Sequence, residues 1–290
     1  LELFDALGFK HMTYCHNPLI CKIDEETGNR RKISKRKDPE FNMQYYFEQG
    51  YPINAVLEYL LNLINSGFEA WRKQNPTLPW TDFKFGVKDI TAGSPTFDLV
   101  KLNDISKNII SRLTAEEVYE NTLAWAKENN KGFCEYLENN KDYSIKVFSI
   151  DRGGEKPRKD LAKWSEVPEK LDYMFNLHNY ANIHGIVNEK IDKNTIKIIV
   201  NNYAKSYNNY TEKQDWFENL KTEASKLGFA VNNKEYKANP DAFLGNMADY
   251  CLIIRLMLTG KADSLDIFAI SKTIGQKEVD SRVERFVNAL

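Results

Sequence analysis

The sequence has little that would staple it, anchor it or polarise it. Its four cysteines, at 15, 21, 134 and 251, form no Cys-x-x-Cys pair and follow no secretory signal pattern, so they read as reduced thiols of a cytoplasmic protein. No apolar run is long enough to span a bilayer, since even Ile53 to Ile64 is broken by Asn54, Glu58 and Asn62; a soluble protein is expected. Neither sign of charge dominates, because 40 basic residues meet 41 acidic ones. Any nucleic-acid surface must therefore come from local clustering and not from global charge. Gly-x-Gly-x-x-Gly, Walker A, His-Glu-x-x-His and Gly-x-Ser-x-Gly are all missing, which removes the main support for dinucleotide, P-loop, zincin and hydrolase readings. No internal repeat or low-complexity tract occurs. What is there is apolar bulk: 42% hydrophobic and 12% aromatic residues over 290 positions, enough to bury one or more cores and to exclude extensive disorder. The chain opens at Leu1, without Met, in a structured-looking segment, which suggests a piece of a longer polypeptide.

Periodicity predicts a mainly α protein. Ile53, Val56, Leu57, Leu60, Leu61 and Ile64 form one apolar stripe, with Gly67 expected as its stop. Thr114 followed by Glu117 reads as a capping box opening a helix through Val118, Thr122 and Trp125. Further stripes run through Trp216, Leu220 and Leu227, through Met247, Cys251, Ile254 and Leu258 to Gly260, and through Val279, Val283, Phe286 and Leu290. Strands are expected only at Tyr14 to Ile23, Phe83 to Val87 and Tyr143 to Ile150. Pro-, Gly- and Asn-rich loops near 74 to 80, 91 to 96, 151 to 157 and 176 to 190 suggest domain boundaries near 38, 113 and 187.

The densest charge feature is Arg30-Arg31-Lys32-Ile33-Ser34-Lys35-Arg36-Lys37, with six basic residues in eight. It follows Asp24-Glu25-Glu26-Thr27-Gly28-Asn29, a turn-prone run, so a loop is expected there and not a helix face. Such a loop suits a polyphosphate whose charge grows during reaction; the bland reading is a solvated basic turn. A second cluster, Asp151 to Asp160 followed by Lys163 and Trp164, sets five cations against three carboxylates in a Gly/Pro turn and could hold phosphates and unstacked bases. Its bland reading is an ordinary interhelix loop. His11, Cys15, His16 and Cys21 crowd together, but their spacing matches no structural zinc pattern, so no metal site is expected. Trp71, Trp80, Trp125 and Trp216 read as core packing before base stacking.

Lys32-Ile33-Ser34-Lys35-Arg36 resembles the KMSKS signature of class I aminoacyl-tRNA synthetases, in the form typical of glutamate enzymes. Its flanks strengthen the resemblance: Leu7-Gly8-Phe9, His16-Asn17-Pro18-Leu19-Ile20, Lys37-Asp38-Pro39, Gly50 to Val56, Ser94 to Asn103, Lys156 to Leu161 and Leu256 to Gly260 follow in order. The chain thus resembles the C-terminal portion of bacterial-type glutamyl-tRNA synthetases from this loop onward. That implies a tail of a class I catalytic domain (1–38), a small mixed α/β stem-contact domain (39–113) and an all-helical anticodon-binding region in two units (114–187 and 188–290). Glutaminyl and archaeal or eukaryotic glutamyl enzymes carry β-barrels at that place, and the helical periodicity after 114 favours the bacterial form.

By the same resemblance, Lys35 and Lys32 would act in catalysis, with Lys32, Ser34, Lys35 and Arg36 contacting ATP, and Arg152, Lys156, Arg158, Lys159 and Lys163 would face tRNA, Arg158 touching an anticodon base. The Asp-Arg-Gly-Gly-Glu turn departs from the commonest family pattern. The implied enzyme uses ATP and Mg²⁺, L-glutamate and tRNA(Glu), with tRNA(Gln) left open, as a cytoplasmic monomer without membrane contact. The family's HIGH sequence does not occur among the histidines at 11, 16, 178 and 184, so this chain by itself is expected to be catalytically silent. Two alternatives keep less: a free-standing tRNA-binding module without the catalytic half, or a helical protein-interaction scaffold with a fortuitous basic turn.

Overall fold

The computed structural model describes residues 1–12, 16, 18–175 and 187–290. The chain forms two compact units, 1–110 with 159–163, and 111–158 with 164–290. The first division falls between Ile110 and Ser111.

The first unit contains α1 (Glu2–Ala6), β1 (Cys21–Ile23), β2 (Arg30–Lys32), α2 (Met43–Gln49), α3 (Ile53–Ile64), α4 (Phe68–Gln74) and α5 (Leu99–Ile110). Helix α3 covers the span its stripe predicts and buries Val56, Tyr59 and Leu63 against Tyr51, Phe97 and Leu102. Its stop is not Gly67. The helix ends at Asn65, whose buried side chain accepts a hydrogen bond from the Gly67 amide at 2.9 Å and donates to the Gly86 carbonyl at 3.4 Å. Gly67 instead precedes α4. The expected strand at Phe83 to Val87 is a bend leading into a short 3-10 turn at Val87–Asp89; Phe83 spends its ring on Phe68 and Trp71. Of the expected strand from Tyr14 to Ile23, Tyr14, Cys15 and Asn17 lie outside the described residues, and the strand covers Cys21–Ile23. It pairs antiparallel with β2, Lys22 opposite Arg31. On its other side, Cys21 donates to the Pro95 carbonyl at 2.9 Å and accepts from the Phe97 amide at 2.7 Å.

The second unit is helical: α6 (Ala115–Asn129), α7 (Lys131–Asn139), α8 (Lys141–Ser149), α9 (Val167–Lys170), α10 (Lys193–Ser206), α11 (Lys213–Lys226), α12 (Asn233–Ala238), α13 (Met247–Thr259), α14 (Ile267–Ile274) and α15 (Gln276–Ala289). Both halves of the Thr114–Glu117 capping box form. Gly260 closes α13 in the left-handed conformation, φ 68°, which only glycine adopts without strain. The expected strand at Tyr143 to Ile150 is helix α8. Ser144, Val147 and Phe148 are buried at three-four spacing, and that face packs on α6, so tertiary contact overrides the β-branched and aromatic composition. One short parallel pairing interrupts the helices, β3 (Phe229–Ala230) beside β4 (Gly245–Asn246). The expected loop over 176 to 190 lies mostly outside the described residues. Among the described residues no helix is long and apolar enough to cross a membrane.

Candidate functional site

The basic octamer sits on a hairpin. Asp24 to Asn29 turns the chain, with Gly28 at φ 68° and the Asp24 carboxylate accepting from the Thr27 amide at 3.1 Å. The register then sets two cations, Lys22 and Arg31, opposite each other, an arrangement that is unfavourable unless anions intervene. They do. The Arg31 guanidinium lies 3.0 Å from Asp24 and forms a two-pronged contact with Asp38, 2.7 Å on each oxygen. Lys22 bonds Glu40 and lies 3.6 Å from Asp38. The Arg31 hydrogen bonds hold the Asp38 carboxyl well below the usual carboxylate range, against the opposing effect of desolvation. Glu40, by its hydrogen bond, raises Lys22.

Beyond β2 the chain makes one tight turn. Ile33 packs on the core of the first unit. The Ser34 carbonyl accepts from the amides of Lys37 and Asp38 at 2.9 and 2.8 Å, and the Ser34 amide donates to the Asp38 carboxylate at 2.9 Å. Lys32, Lys35, Arg36 and Lys37 are exposed, and Ser34 is half-buried. No ion pair engages any of these four cations among the described residues, whereas Arg30 donates to the Ser94 carbonyl. The structure thus sets Lys32, the last residue of β2, beside a turn that carries Ser34, Lys35 and Arg36, with uncompensated positive charge outward, an arrangement suited to polyphosphate.

The second cluster divides. Arg152, Lys156 and Arg158 belong to the second unit, and Lys159 and Lys163 to the first. Arg152 donates to the carbonyls of Phe148 and Leu113 at 2.8 and 3.1 Å. Arg158 donates to the Ser264 carbonyl and to Asp263 at 3.2 Å, while its amide reaches the Asp151 carbonyl at 3.0 Å. Asp151 holds φ at 57°, a left-handed backbone uncommon for a non-glycine, and its carboxylate accepts from the Asp266 amide at 3.0 Å. Both arginines therefore brace the turn, and Lys156 stands exposed at its tip. Lys159 is exposed; Lys163 is half-buried, bonded to Gln49 and lying 5.8 Å over the Tyr51 ring. Of the tryptophans, Trp216 is buried against Tyr203 and Phe268, and Trp71 meets Phe68 and Phe83 at tilted angles with the Arg72 guanidinium over its ring. Of His11, Cys15, His16 and Cys21, whose spacing matches no zinc pattern, Cys15 lies outside the described residues.

Sequence reasoning missed Asp38, Arg31, Lys22 and Glu40 as a group. The available signal was Asp38 before Pro39, the pattern of a helix N-cap, but here the side chain makes no cap bond and turns back to Ser34 and Arg31.

No protein-family model matches the chain. It is 40% identical over 286 residues to the glutamate–tRNA ligase of Acetivibrio thermocellus, covering 99% of this chain and 52% of that protein. It is 40% identical over 289 residues to that of Clostridium perfringens strain SM101 and 33% identical over 300 residues to that of Sorangium cellulosum, again covering 99% of this chain and 52% of each. The crystal structure of a glutamate tRNA ligase from Elizabethkingia meningosepticum superposes with a TM-score of 0.65 at 14% identity, over 100% of this chain and 54% of that one, a likeness of fold. The chain spans about half the length of the curated relatives it matches. Along nearly its whole length the chain is similar to the C-terminal half of glutamate–tRNA ligases.

Proposed function

We propose that the chain is the C-terminal part of a cytoplasmic, monomeric glutamate–tRNA ligase, which activates L-glutamate with ATP and Mg²⁺ and transfers it to tRNA(Glu). The observation that carries this reading is the Lys32–Arg36 turn: the signature residues stand exposed and uncompensated, in a chain 40% identical to such ligases over 99% of its length. In this assignment residues 1–38 end the catalytic domain, 39–113 contact the tRNA stem, and 114–187 and 188–290 form the anticodon-binding region. Lys35, with Lys32 and Arg36, meets the triphosphate as pyrophosphate leaves, where a positioned cation stabilises the developing charge. Ser34 shapes the turn through its backbone. Mg²⁺ would arrive on the phosphates. On the tRNA side, Lys156, Lys159 and Lys163 supply ammonium groups for phosphate contact, while Arg152 and Arg158 hold the turn that presents Lys156. Whether tRNA(Gln) is a second acceptor is a matter of the same surface.

Two measurements test this. In the full-length enzyme, Lys35→Ala should slow ATP–pyrophosphate exchange by about 100- to 1,000-fold with tRNA affinity nearly intact; a rate within about twofold of wild type would remove Lys35 from the chemistry. The chain itself, titrated with tRNA(Glu) and with the same tRNA carrying a scrambled anticodon at two salt concentrations, should prefer the native anticodon and weaken as salt rises. Negligible, salt-insensitive binding is the outcome that a protein-interaction scaffold requires.

A further inference from the structure

We propose that Asp38 is the positioning residue of the Lys32–Arg36 turn: its buried carboxylate closes the turn into a ring and so fixes the direction in which Lys35 and Arg36 project. The proposal rests on the reading of this turn as the phosphate-contacting site. Asp38 is 1% exposed and cannot itself meet a nucleotide, so it acts through its neighbours. The ring is closed twice between the same two residues, by the Asp38 amide on the Ser34 carbonyl at 2.8 Å and by the Ser34 amide on Asp38 Oδ2 at 2.9 Å. Lys35, Arg36 and Lys37 lie on the arc outside it. The carboxylate is in turn held from behind by both prongs of Arg31, at 2.7 Å each, and by Lys22 at 3.6 Å.

A second consequence concerns charge. Asp38 neutralises Arg31 and Glu40 neutralises Lys22, so among the described residues the uncompensated charge stands on Lys32, Lys35, Arg36 and Lys37, together with Arg30, which bonds only a carbonyl. An anion placed among cations would ordinarily compete with phosphate. Here it is buried and already saturated with donors, so it aims the outer cations without screening them. A catalytic group displaced by about 1 Å can lose on the order of 100-fold in rate, which sets the scale of effect expected from releasing the ring.

The test has two arms. In this 290-residue chain, limited trypsin cleavage after Lys35 and Arg36 is followed by mass spectrometry, with cleavage after Lys156 as the internal reference. Asp38→Asn should raise cleavage within the turn at least about tenfold relative to the reference. Arg31→Gln, which removes the two-pronged brace that holds the Asp38 carboxylate in place but leaves the residues around the scissile bonds unchanged, should do likewise, and it carries the test if Asp38→Asn fails to fold. Cleavage of Arg31→Gln at the wild-type rate overturns the proposal.

In the full-length enzyme, Asp38→Asn should lower kcat for ATP–pyrophosphate exchange by about 10- to 100-fold with little change in tRNA affinity or in KM for glutamate, and Asp38→Glu should restore part of it. A loss of thermal stability with unchanged kcat would mean that Asp38 is structural only, and sinks the proposal. Lys35→Ala run alongside separates the two ideas. If it leaves exchange intact, the phosphate reading of the turn fails while proteolysis still judges the ring; if it abolishes exchange and Asp38→Asn does not, the positioning role alone falls.

Discussion

Arg282 carries a full charge and no exposed surface. Its guanidinium donates to the Leu258 carbonyl near the end of α13, to the Tyr173 carbonyl at 2.7 Å and to Glu278 at 2.8 Å. Helix α15 is thereby tied to the end of another helix, where carbonyls lack intrahelical partners. Replacing the side chain with Met would fill most of the space but take a charged donor away from two buried carbonyls, each loss costing roughly 1–3 kcal/mol. Arg282→Met should therefore destabilise the second unit by about 3 kcal/mol, read as a lower urea midpoint. An unchanged midpoint would mean that these carbonyls find other partners. The apolar stripe Val279, Val283, Phe286 gave no hint of this, because an arginine between apolar positions reads as the polar face of an amphipathic helix; its partners are on α13 and near Tyr173, remote in sequence.

At the scale of elements, the capping box at Thr114 shows what a local pattern can contribute. The Thr114 hydroxyl accepts from the Glu117 amide at 3.1 Å, and the Glu117 carboxylate accepts from the Thr114 amide at 2.7 Å. Thr114→Ala removes the first bond and should cost about 1 kcal/mol, a fall in Tm of about 2–4 °C for a unit of this size, whereas Thr114→Ser should retain it; scanning calorimetry distinguishes them. Where the determinant was local, the sequence was legible: α3, the start of α6 and the Gly260 stop all follow from neighbouring residues. Where it was not, reading failed. Tyr143 to Ile150 has strand-like composition, and only its burial against α6 makes it a helix. Gly67 resembled a stop, yet Asn65 ends α3 because its side chain finds the Gly67 amide and the Gly86 carbonyl. The candidate site divides in the same way. Lys32, Ser34, Lys35 and Arg36 were legible as a string, but Asp38 becomes their anchor only once strand pairing brings Lys22 opposite Arg31.

For the whole molecule, the pH range of stability follows from the signs of the shifted groups. Asp38 is held well below its ordinary range by Arg31, Glu69 is lowered to about 2 chiefly by its hydrogen bond with Lys101, and Asp24, Asp192 and Asp241 are lowered as well. Each contributes stability that is fully present above its unfolded value near 4 and is lost as pH falls toward the folded one. Burial moves tyrosines the other way, Tyr46 and Tyr143 to about 12 with Tyr59, Tyr203 and Tyr250 also raised. Their stability contribution is fully present below the unfolded value near 10 and is lost as pH rises from there toward the folded values. Tm should thus hold a plateau between about pH 5 and pH 10 and fall on both sides. Asp38→Asn should flatten the acid limb; an identical acid limb in that variant would show that the carboxylate is not linked to folding.

The assignment of residues 159–163 to the first unit, while 111–158 and 164–290 form the second, bears on how the molecule can be taken apart. The Ser106 hydroxyl donates to the Ala162 carbonyl, and Lys163 bonds Gln49. A gene cut between Ile110 and Ser111, the obvious seam, would deliver a first piece with those groups deprived of their partners and a second piece burdened with a stretch that belongs elsewhere. Modularity here is interrupted: anyone seeking the first unit alone must graft the missing stretch through a linker, and recombination at the seam would exchange neither unit whole.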